Sequence, residues 1–200
     1  MKLTQGSPLL RKKLLALIAE ATSWVEIPTN GPNGNDMERE FDLDQLWATP
    51  RYLVRTIEII SKAARESGVQ YDAVAAITSN VGSFGTTPLA TGLAIEKNKK
   101  LIIFVETEFG RYYVAPLSLN DDAFFRAHKI LLVKDILVGG RSLVNVGALI
   151  AKHEGTIAGI ISLINMNPKP QPAIDATNEN TVFIYVLSGS DIKDLGGKTK

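Results

Sequence analysis

Short apolar runs alternate with segments of helical period along most of this chain. The helical segments begin at Ser7–Pro8, Thr49–Pro50 and Thr87–Pro88, where a capping residue precedes proline at the first helical position. Apolar positions three and four residues apart follow these starts. We predict helices over 8–22, 50–68, 87–97 and 142–153, and buried strands over 71–77, 101–105, 130–133, 157–164 and 182–187.

This alternation predicts an α/β fold with a parallel central sheet, because a helix between two strands returns the chain to the same end of the sheet. Three stretches are less regular. We interpret 23–41 as a loop-rich stretch, 106–128 as a surface hairpin or mobile loop, and 165–180 as a polar loop. A chain of 200 residues is expected to form a single domain, over residues 1–200.

Composition excludes several classes of function. The chain has no cysteine, which rules out disulfides, thiolate catalysis and cysteine-ligated zinc, and is compatible with the cytoplasm. The net charge is +1 and the basic clusters are short, so we expect no nucleic-acid partner. No apolar run approaches the length of a membrane span, so we expect no membrane partner either.

Residues 130–142, ILLVKDILVGGRS, form the most informative stretch. An apolar run ends in Lys134 and Asp135, a second short apolar run follows, and Gly139 and Gly140 precede a segment of helical period. Such a turn directs backbone N–H groups and a helix dipole at a phosphate. The acid just upstream can hold a metal ion or a sugar hydroxyl. The alternative interpretation is an ordinary β–α turn, in which glycine is common.

Other catalytic and nucleotide motifs are incomplete. The sequence has no GxGxxG after a strand and no GxSxG elbow. The GGKT at residues 196–199 lacks the first glycine of a Walker A loop. His153–Glu154 begins like HExxH, but Ile157 occupies the position of the second histidine. Hydrolase and metalloprotease functions therefore have no support.

The stretch resembles the ribose-phosphate signature of the type I phosphoribosyltransferases, in which a hydrophobic strand ends in two acids before a phosphate loop of small residues. Asp135 matches the second acid, and residues 139–142 match the loop. Three further segments resemble this family in the right order, and together they extend the resemblance to about residues 15–190. They are Phe41-Asp42-Leu43 with Pro50 and Leu53 (YFDLR…P..L of the orotate enzymes), Asp72-Ala-Val-Ala-Ala (the strand before the pyrophosphate loop) and Gly85-Thr-Thr-Pro-Leu-Ala90 (GGxPLA).

The resemblance implies a Rossmann-like, phosphoribosyltransferase-type core with helices on both faces. A small hood would be formed by contributions from residues 1–45 and 165–190. The implied reaction transfers ribose 5-phosphate from phosphoribosyl pyrophosphate to a nucleobase of orotate or purine type. The products would be a nucleoside monophosphate and pyrophosphate. The implied cofactor is Mg²⁺, and the implied assembly is a homodimer.

The resemblance also assigns roles to individual residues. Asp135 is the expected catalytic residue, accepting the ribose hydroxyls directly or through Mg²⁺-bound water. Tyr112 and Asn165 are candidates for contacting the base, and Lys134 for contacting a phosphate. The expected 5′-phosphate loop is Val138, Gly139, Gly140, Arg141 and Ser142. The expected pyrophosphate loop is Ser79, Asn80, Val81, Gly82, Ser83, Phe84 and Gly85.

The sequence departs from the family pattern at three places, of which Lys134 and the acidic stretch favour an alternative hypothesis and Val138 disfavours the 6-oxopurine subclass. Lys134 replaces the first acid, and an ammonium group cannot ligate Mg²⁺, although it can pair with a phosphate. Val138 stands where 6-oxopurine enzymes often carry an acid that contacts the base. Residues 106–113 are acidic where the mobile loop of orotate enzymes is basic, and carboxylates there would repel pyrophosphate. The alternative is a catalytically weak or inactive regulatory protein that binds a nucleotide or the donor on the same fold.

Overall fold

A computed structural model describes residues 2–21, 23–28, 37–78, 85–107, 111–116, 122–166 and 181–196. The strands are β1 (Lys2–Gln5), β2 (Ser23–Pro28), β3 (Met37–Asp42), β4 (Ala73–Thr78), β5 (Lys100–Glu106), β6 (Tyr112–Ala115), β7 (Lys129–Leu137), β8 (Thr156–Asn165) and β9 (Val182–Ser188). The helices are α1 (Pro8–Ala21), α2 (Asp44–Ala48), α3 (Pro50–Ser67), α4 (Thr86–Lys97), α5 (Asp122–Ala127), α6 (Arg141–Lys152) and α7 (Gly189–Gly196).

Seven strands form the main sheet, in the order β1-β9-β8-β7-β4-β5-β6. All neighbouring strands are parallel except β6, which pairs antiparallel with β5. The predicted parallel α/β sheet is therefore confirmed. Because parallel strands end at the same edge, the segments that follow β4, β5, β7 and β8 all begin at one side of the sheet.

The sheet is covered on both faces, and the side chains of β7 show how. Leu131 and Val133 pack into a core formed with α1, α3 and α4, whereas Ile130 and Leu132 pack into a second core with α5 and α6. This division follows from the period of two along a strand. A strand buried on both faces reads as a continuous apolar run, which is why the sequence predicted β7 so clearly.

Several element boundaries differ from the sequence prediction. Strand β7 continues to Leu137, because Lys134, Ile136 and Leu137 still pair with β8; the charged pair is therefore inside the strand. The stretch predicted as loop-rich instead contains β2 and β3, which pair with each other as an antiparallel two-stranded sheet. Strand β1 and helices α5 and α7 were not predicted, and each is short.

The expected hood includes segments that the structure describes. Two of the segments assigned to it, residues 2–5 and 182–188, pair with each other as strands of the main sheet. The two-stranded sheet of β2 and β3 lies outside the main sheet and is the part of this prediction that remains a proposal. Among the described residues, no helix is long and apolar enough to cross a membrane.

Gly85 is the N-cap of α4, at the end of the expected pyrophosphate loop, and it packs against α2. A Cβ atom at this position would lie 2.2–2.6 Å from three atoms of the Trp47 indole. The indole is a rigid ring, so it cannot yield by turning one terminal group. Glycine is therefore required here by a close approach between two helices.

We expect Gly85→Ala to destabilise the fold by about 1–3 kcal/mol, the usual cost of overpacking. For a chain of this length, that lowers Tm by roughly 2–4 °C per kcal/mol. Gly139→Ala is the matched control, since a Cβ there meets nothing within 4 Å. Thermal unfolding of both variants checks this, and equal Tm values would show that Trp47 does not restrict residue 85.

Candidate functional site

Lys134 and Asp135 lie near the carboxyl end of β7 and leave the strand on opposite faces of the sheet. Asp135 follows Val133 in the period of two and points towards α4, where it is only 7% exposed. Lys134 follows Leu132 and is half-buried on the other face. The charged pair therefore takes part in two separate sets of contacts.

The Asp135 carboxylate is held in place from two sides. The Thr86 hydroxyl donates to Asp135 Oδ1 at 2.9 Å, and the Ile136 N–H donates to the same oxygen at 2.8 Å. The Thr86 Oγ1 also lies 3.4 Å from the backbone nitrogen of Asp135 and accepts its N–H. Hydrogen bonds to a carboxylate fix its orientation. Strand β7 is thereby joined to the first residue of α4.

Sequence reasoning did not assign a role to Thr86. The available signal was a departure from the family pattern, because Thr86 stands where the GGxPLA motif has its second glycine. A glycine has no hydroxyl to donate to Asp135. The contact between Thr86 and Asp135 is thus a feature of this chain's own sequence rather than of the motif.

Lys134 lies among oxygen atoms. Its Nζ donates to the carbonyl oxygen of Ile77, on the neighbouring strand β4, at 3.5 Å. Burial lowers the pKa of Lys134, while the carboxylates of Asp135 and Glu106 act in the opposite direction. Glu106 ends β5, so three adjacent strands contribute to this cluster.

Tyr112 belongs to the same face of the sheet edge. Burial, and then the negative charge of Glu106, raise the pKa of the Tyr112 phenol to about 12, while Arg141 partly opposes this. The phenol is therefore neutral over the physiological range and can act as a hydrogen-bond donor. Sequence reasoning treated the acidic stretch that begins at Glu106 as unfavourable for pyrophosphate, but here Glu106 lies beside Lys134 and Tyr112.

The expected 5′-phosphate loop has the predicted strand–turn–helix geometry. Val138 is 68% exposed, Gly139 is exposed, and Gly140 takes the left-handed conformation, with φ of 79°, as the N-cap of α6. The first N–H groups of a helix have no partner within it and form an anion site with the helix dipole. Arg141 and Ser142 begin the helix. Phosphate binding at this turn stays a prediction.

The two candidate base contacts are brought to the same edge but not to the same place. Asn165, 8% exposed, ends β8 and pairs with Leu137 and Ser188. Tyr112 is on β6, with β7, β4 and β5 between the two strands. Four strand spacings amount to roughly 19 Å. One base is too small to contact both side chains directly.

Most of the expected pyrophosphate loop, Ser79 to Phe84, lies outside the described residues. The residues that flank it are described: Thr78 ends β4, and Gly85 precedes α4. Both belong to elements that contact Lys134 or Asp135, since β4 supplies the Ile77 carbonyl and α4 supplies the Thr86 hydroxyl.

The described side chains show whether the protein could coordinate the Mg²⁺ that the family resemblance implies. Mg²⁺ requires near-octahedral coordination by oxygen ligands, usually including one or two carboxylates. Among the described residues, no group of three or more histidine, aspartate or glutamate side chains could hold a metal ion. Asp135 Oδ1 already accepts two hydrogen bonds, and the Lys134 ammonium is close to this carboxylate. These residues do not fit a protein-bound Mg²⁺.

Comparison with known proteins places this geometry in a family. No family model matches the chain. It is 25% identical over 172 residues to the orotate phosphoribosyltransferase of Pyrococcus abyssi, covering 84% of this chain and 87% of the relative. It is 30% identical over 132 residues to the adenine phosphoribosyltransferase of Gloeobacter violaceus, covering 62% of this chain and 75% of the relative. The chain belongs to the type I phosphoribosyltransferase family.

Solved structures agree with this assignment at the level of the fold. Mycobacterium tuberculosis orotate phosphoribosyltransferase, in complex with inorganic phosphate, aligns with a TM-score of 0.62 at 19% identity, covering 94% of this chain and 99% of that one. Trypanosoma brucei adenine phosphoribosyltransferase aligns with a TM-score of 0.66 at 13% identity, covering 95% and 84%. The phosphoribosyltransferase fold predicted from the sequence is confirmed.

We expect Thr86→Val to cost about 1–3 kcal/mol of stability, since it removes the buried donor to Asp135 Oδ1 while keeping the shape of the side chain. Thr86→Ser keeps the hydroxyl and is the matched control. Urea unfolding measures both variants. If valine and serine give the same midpoint, the hydroxyl does not hold Asp135.

Tyr112 gives a pH prediction. Its pKa in the folded protein, about 12, is above the value of about 10 in an unfolded chain. The fold favours the protonated phenol, so the resulting stability is complete below pH 10 and is lost as pH rises from about 10 to about 12. Tyr112→Phe should therefore lose less stability over this range than the unmodified protein.

Urea unfolding at a series of pH values between 9 and 12 measures this difference. Tyr113→Phe, which removes an exposed phenol from the same strand, is the control. Identical alkaline profiles for Tyr112→Phe and the unmodified protein would contradict the assigned pKa.

Proposed function

We propose that this chain transfers the ribose 5-phosphate group of phosphoribosyl pyrophosphate to a nucleobase, giving a nucleoside monophosphate and pyrophosphate. One observation carries the proposal. At the carboxyl end of the central strand β7, an oriented carboxylate, Asp135, precedes a left-handed glycine turn that opens α6. This places a sugar-binding group and an anion-binding turn within a few residues of each other.

Each part of the donor then has a proposed partner. The 5′-phosphate binds the N–H groups of the turn from Val138 to Ser142, with the Ser142 hydroxyl as a further donor. Asp135 accepts a ribose hydroxyl, directly or through a water molecule. The loop from Ser79 to Gly85 offers N–H groups to pyrophosphate. Rate acceleration would come mainly from positioning the reactants and from stabilising the departing pyrophosphate.

The order of the strands suggests where the base enters. Displacement at the anomeric carbon favours a base that approaches from the side opposite to the leaving group. The proposed pyrophosphate loop follows β4, on one side of β7, and Asn165 ends β8, on the other side. We therefore assign Asn165 to the base and Tyr112 to the pyrophosphate side. The proposed base is orotate or a purine.

Other features implied by the family are proposed in the same way. We propose that Mg²⁺, the cofactor implied by the family, would serve the transfer step by stabilising the charge of the departing pyrophosphate, since the described side chains do not fit a direct site for it. We also propose that residues 1–200 act as one domain in the cytoplasm, that β2 and β3 contribute to a hood, and that the chain assembles as a homodimer.

A second candidate function is a regulatory protein that binds the donor or a nucleotide with little or no turnover. Lys134 and Glu106 favour it, because an ammonium group replaces one acid of the family signature and a carboxylate faces the proposed pyrophosphate side. Binding at the glycine turn is common to both candidates. Turnover separates them.

The decisive experiment incubates the protein with phosphoribosyl pyrophosphate, Mg²⁺ and, in turn, orotate, uracil, adenine, hypoxanthine, guanine and xanthine. We expect one base to yield a nucleoside monophosphate and pyrophosphate in equal amounts. Donor binding without product for every base would support the regulatory candidate. Absence of donor binding would contradict both.

Gly140→Val tests the anion site. A β-branched residue in the left-handed region costs about 1–2 kcal/mol and crowds the bound phosphate. Gly68 at the end of α3 has φ of 75°, and a Cβ added there would meet nothing within 4 Å, so Gly68→Val is a control for backbone strain. We expect both variants to lose similar stability, but only Gly140→Val to lose at least tenfold in affinity for ribose 5-phosphate by calorimetry. Equal affinities would place the phosphate elsewhere.

A further inference from the structure

The side chain of Lys134 interacts with oxygen atoms of strands β4 and β5. Its Nζ donates to the carbonyl oxygen of Ile77, and the carboxylates of Asp135 and Glu106 are close enough to favour its charged form. Oxygen atoms of these kinds bind Mg²⁺ and Ca²⁺ in proteins, but here the Asp135 carboxylate is on the opposite face of the sheet, so the oxygens do not surround one metal position. Here the positive charge belongs to a side chain of β7.

Burial and two carboxylates have opposite effects on the charged form of this side chain. Burial lowers the pKa of Lys134, and the two carboxylates counteract that effect. The Nζ of Lys134 also donates to the carbonyl oxygen of Ile77. It is held by β7 and β4, so its position is set by the sheet rather than by a bound ligand.

We propose that the Lys134 ammonium takes the place of the divalent cation in donor binding, so that this protein binds phosphoribosyl pyrophosphate without Mg²⁺. The inference rests on the proposed function. A metal ion at the same position would be repelled by the ammonium group, whereas the anionic donor would be attracted. The described side chains do not fit a metal site, and a lysine replaces one acid of the family signature. Both observations are explained if Lys134 replaces the metal ion in donor binding.

An ammonium group can supply some of the interactions that a metal ion makes with the donor. It offers three N–H donors and one positive charge, which suit phosphate oxygens and ribose hydroxyls. It precedes Asp135, proposed to hold the ribose, and it contacts β4, which leads to the proposed pyrophosphate loop. Lys134 would thus bind the donor where its ribose and pyrophosphate meet.

Calorimetric titration of phosphoribosyl pyrophosphate into the full chain, in EDTA and in excess Mg²⁺, tests the proposal. We expect the affinity of the unmodified protein to differ less than threefold between the two conditions. Lys134→Gln should bind at least tenfold more weakly in EDTA and should regain affinity when Mg²⁺ is added. Lys134→Arg, which keeps the charge, should behave like the unmodified protein.

Lys129→Gln is the control, because it removes an exposed lysine from the opposite end of β7. The Lys134 variants are expected to fold, since a half-buried ammonium is itself costly to desolvate. Circular dichroism and thermal unfolding check this.

Binding that disappears in EDTA and returns with Mg²⁺ would overturn this inference and leave the proposed function intact. The inference would also be overturned if Lys134→Gln bound the donor in EDTA as tightly as the unmodified protein does. If the unmodified protein binds the donor under neither condition, the proposed function fails, and the inference fails with it.

Discussion

A hydrogen bond between two buried side chains, the Thr86 hydroxyl and the Asp135 carboxylate, fixes the geometry of the candidate site. Thr86 begins α4, directly after the segment proposed to bind pyrophosphate, and Asp135 lies three residues before the proposed phosphate turn. This contact adds a fixed side-chain link to the packing of β4 and α4 against β7. A carboxylate at 7% exposure also requires such donors, because an unsatisfied buried charge is strongly unfavourable.

The sequence was sufficient to predict the fold because its strands are buried on both faces and its helices begin at Ser/Thr–Pro pairs. The 130–142 pattern likewise predicted the strand, turn and helix that place Gly140. The pairing of β2 with β3 was missed, because this stretch has no clear period and the sequence TNGPNGND between the two strands is typical of a loop. The length of β7 was also missed, because its last residues are held by pairing with β8 and not by their own apolar character.

Side-chain contacts across the sheet edge were harder still to predict. Lys134 was recognised as a departure from the family pattern, but nothing in the sequence places its ammonium beside Ile77 and Glu106. In the sequence, Thr86 stands out only because it occupies the position of the second glycine of the GGxPLA motif. Lys134 and Thr86 lie at the same edge of the sheet, on its two opposite faces, although they are far apart in the sequence. Substitutions that look like independent losses of a motif can therefore belong to one altered site.

The most direct measurement is a crystal structure of the protein with ribose 5-phosphate. The account predicts that the phosphate contacts backbone N–H groups of the turn from Val138 to Ser142, with the ribose hydroxyls directed towards Asp135. A phosphate bound elsewhere, with Asp135 contacting only Thr86 and the backbone, would contradict the central claim that this edge of the sheet is the donor site.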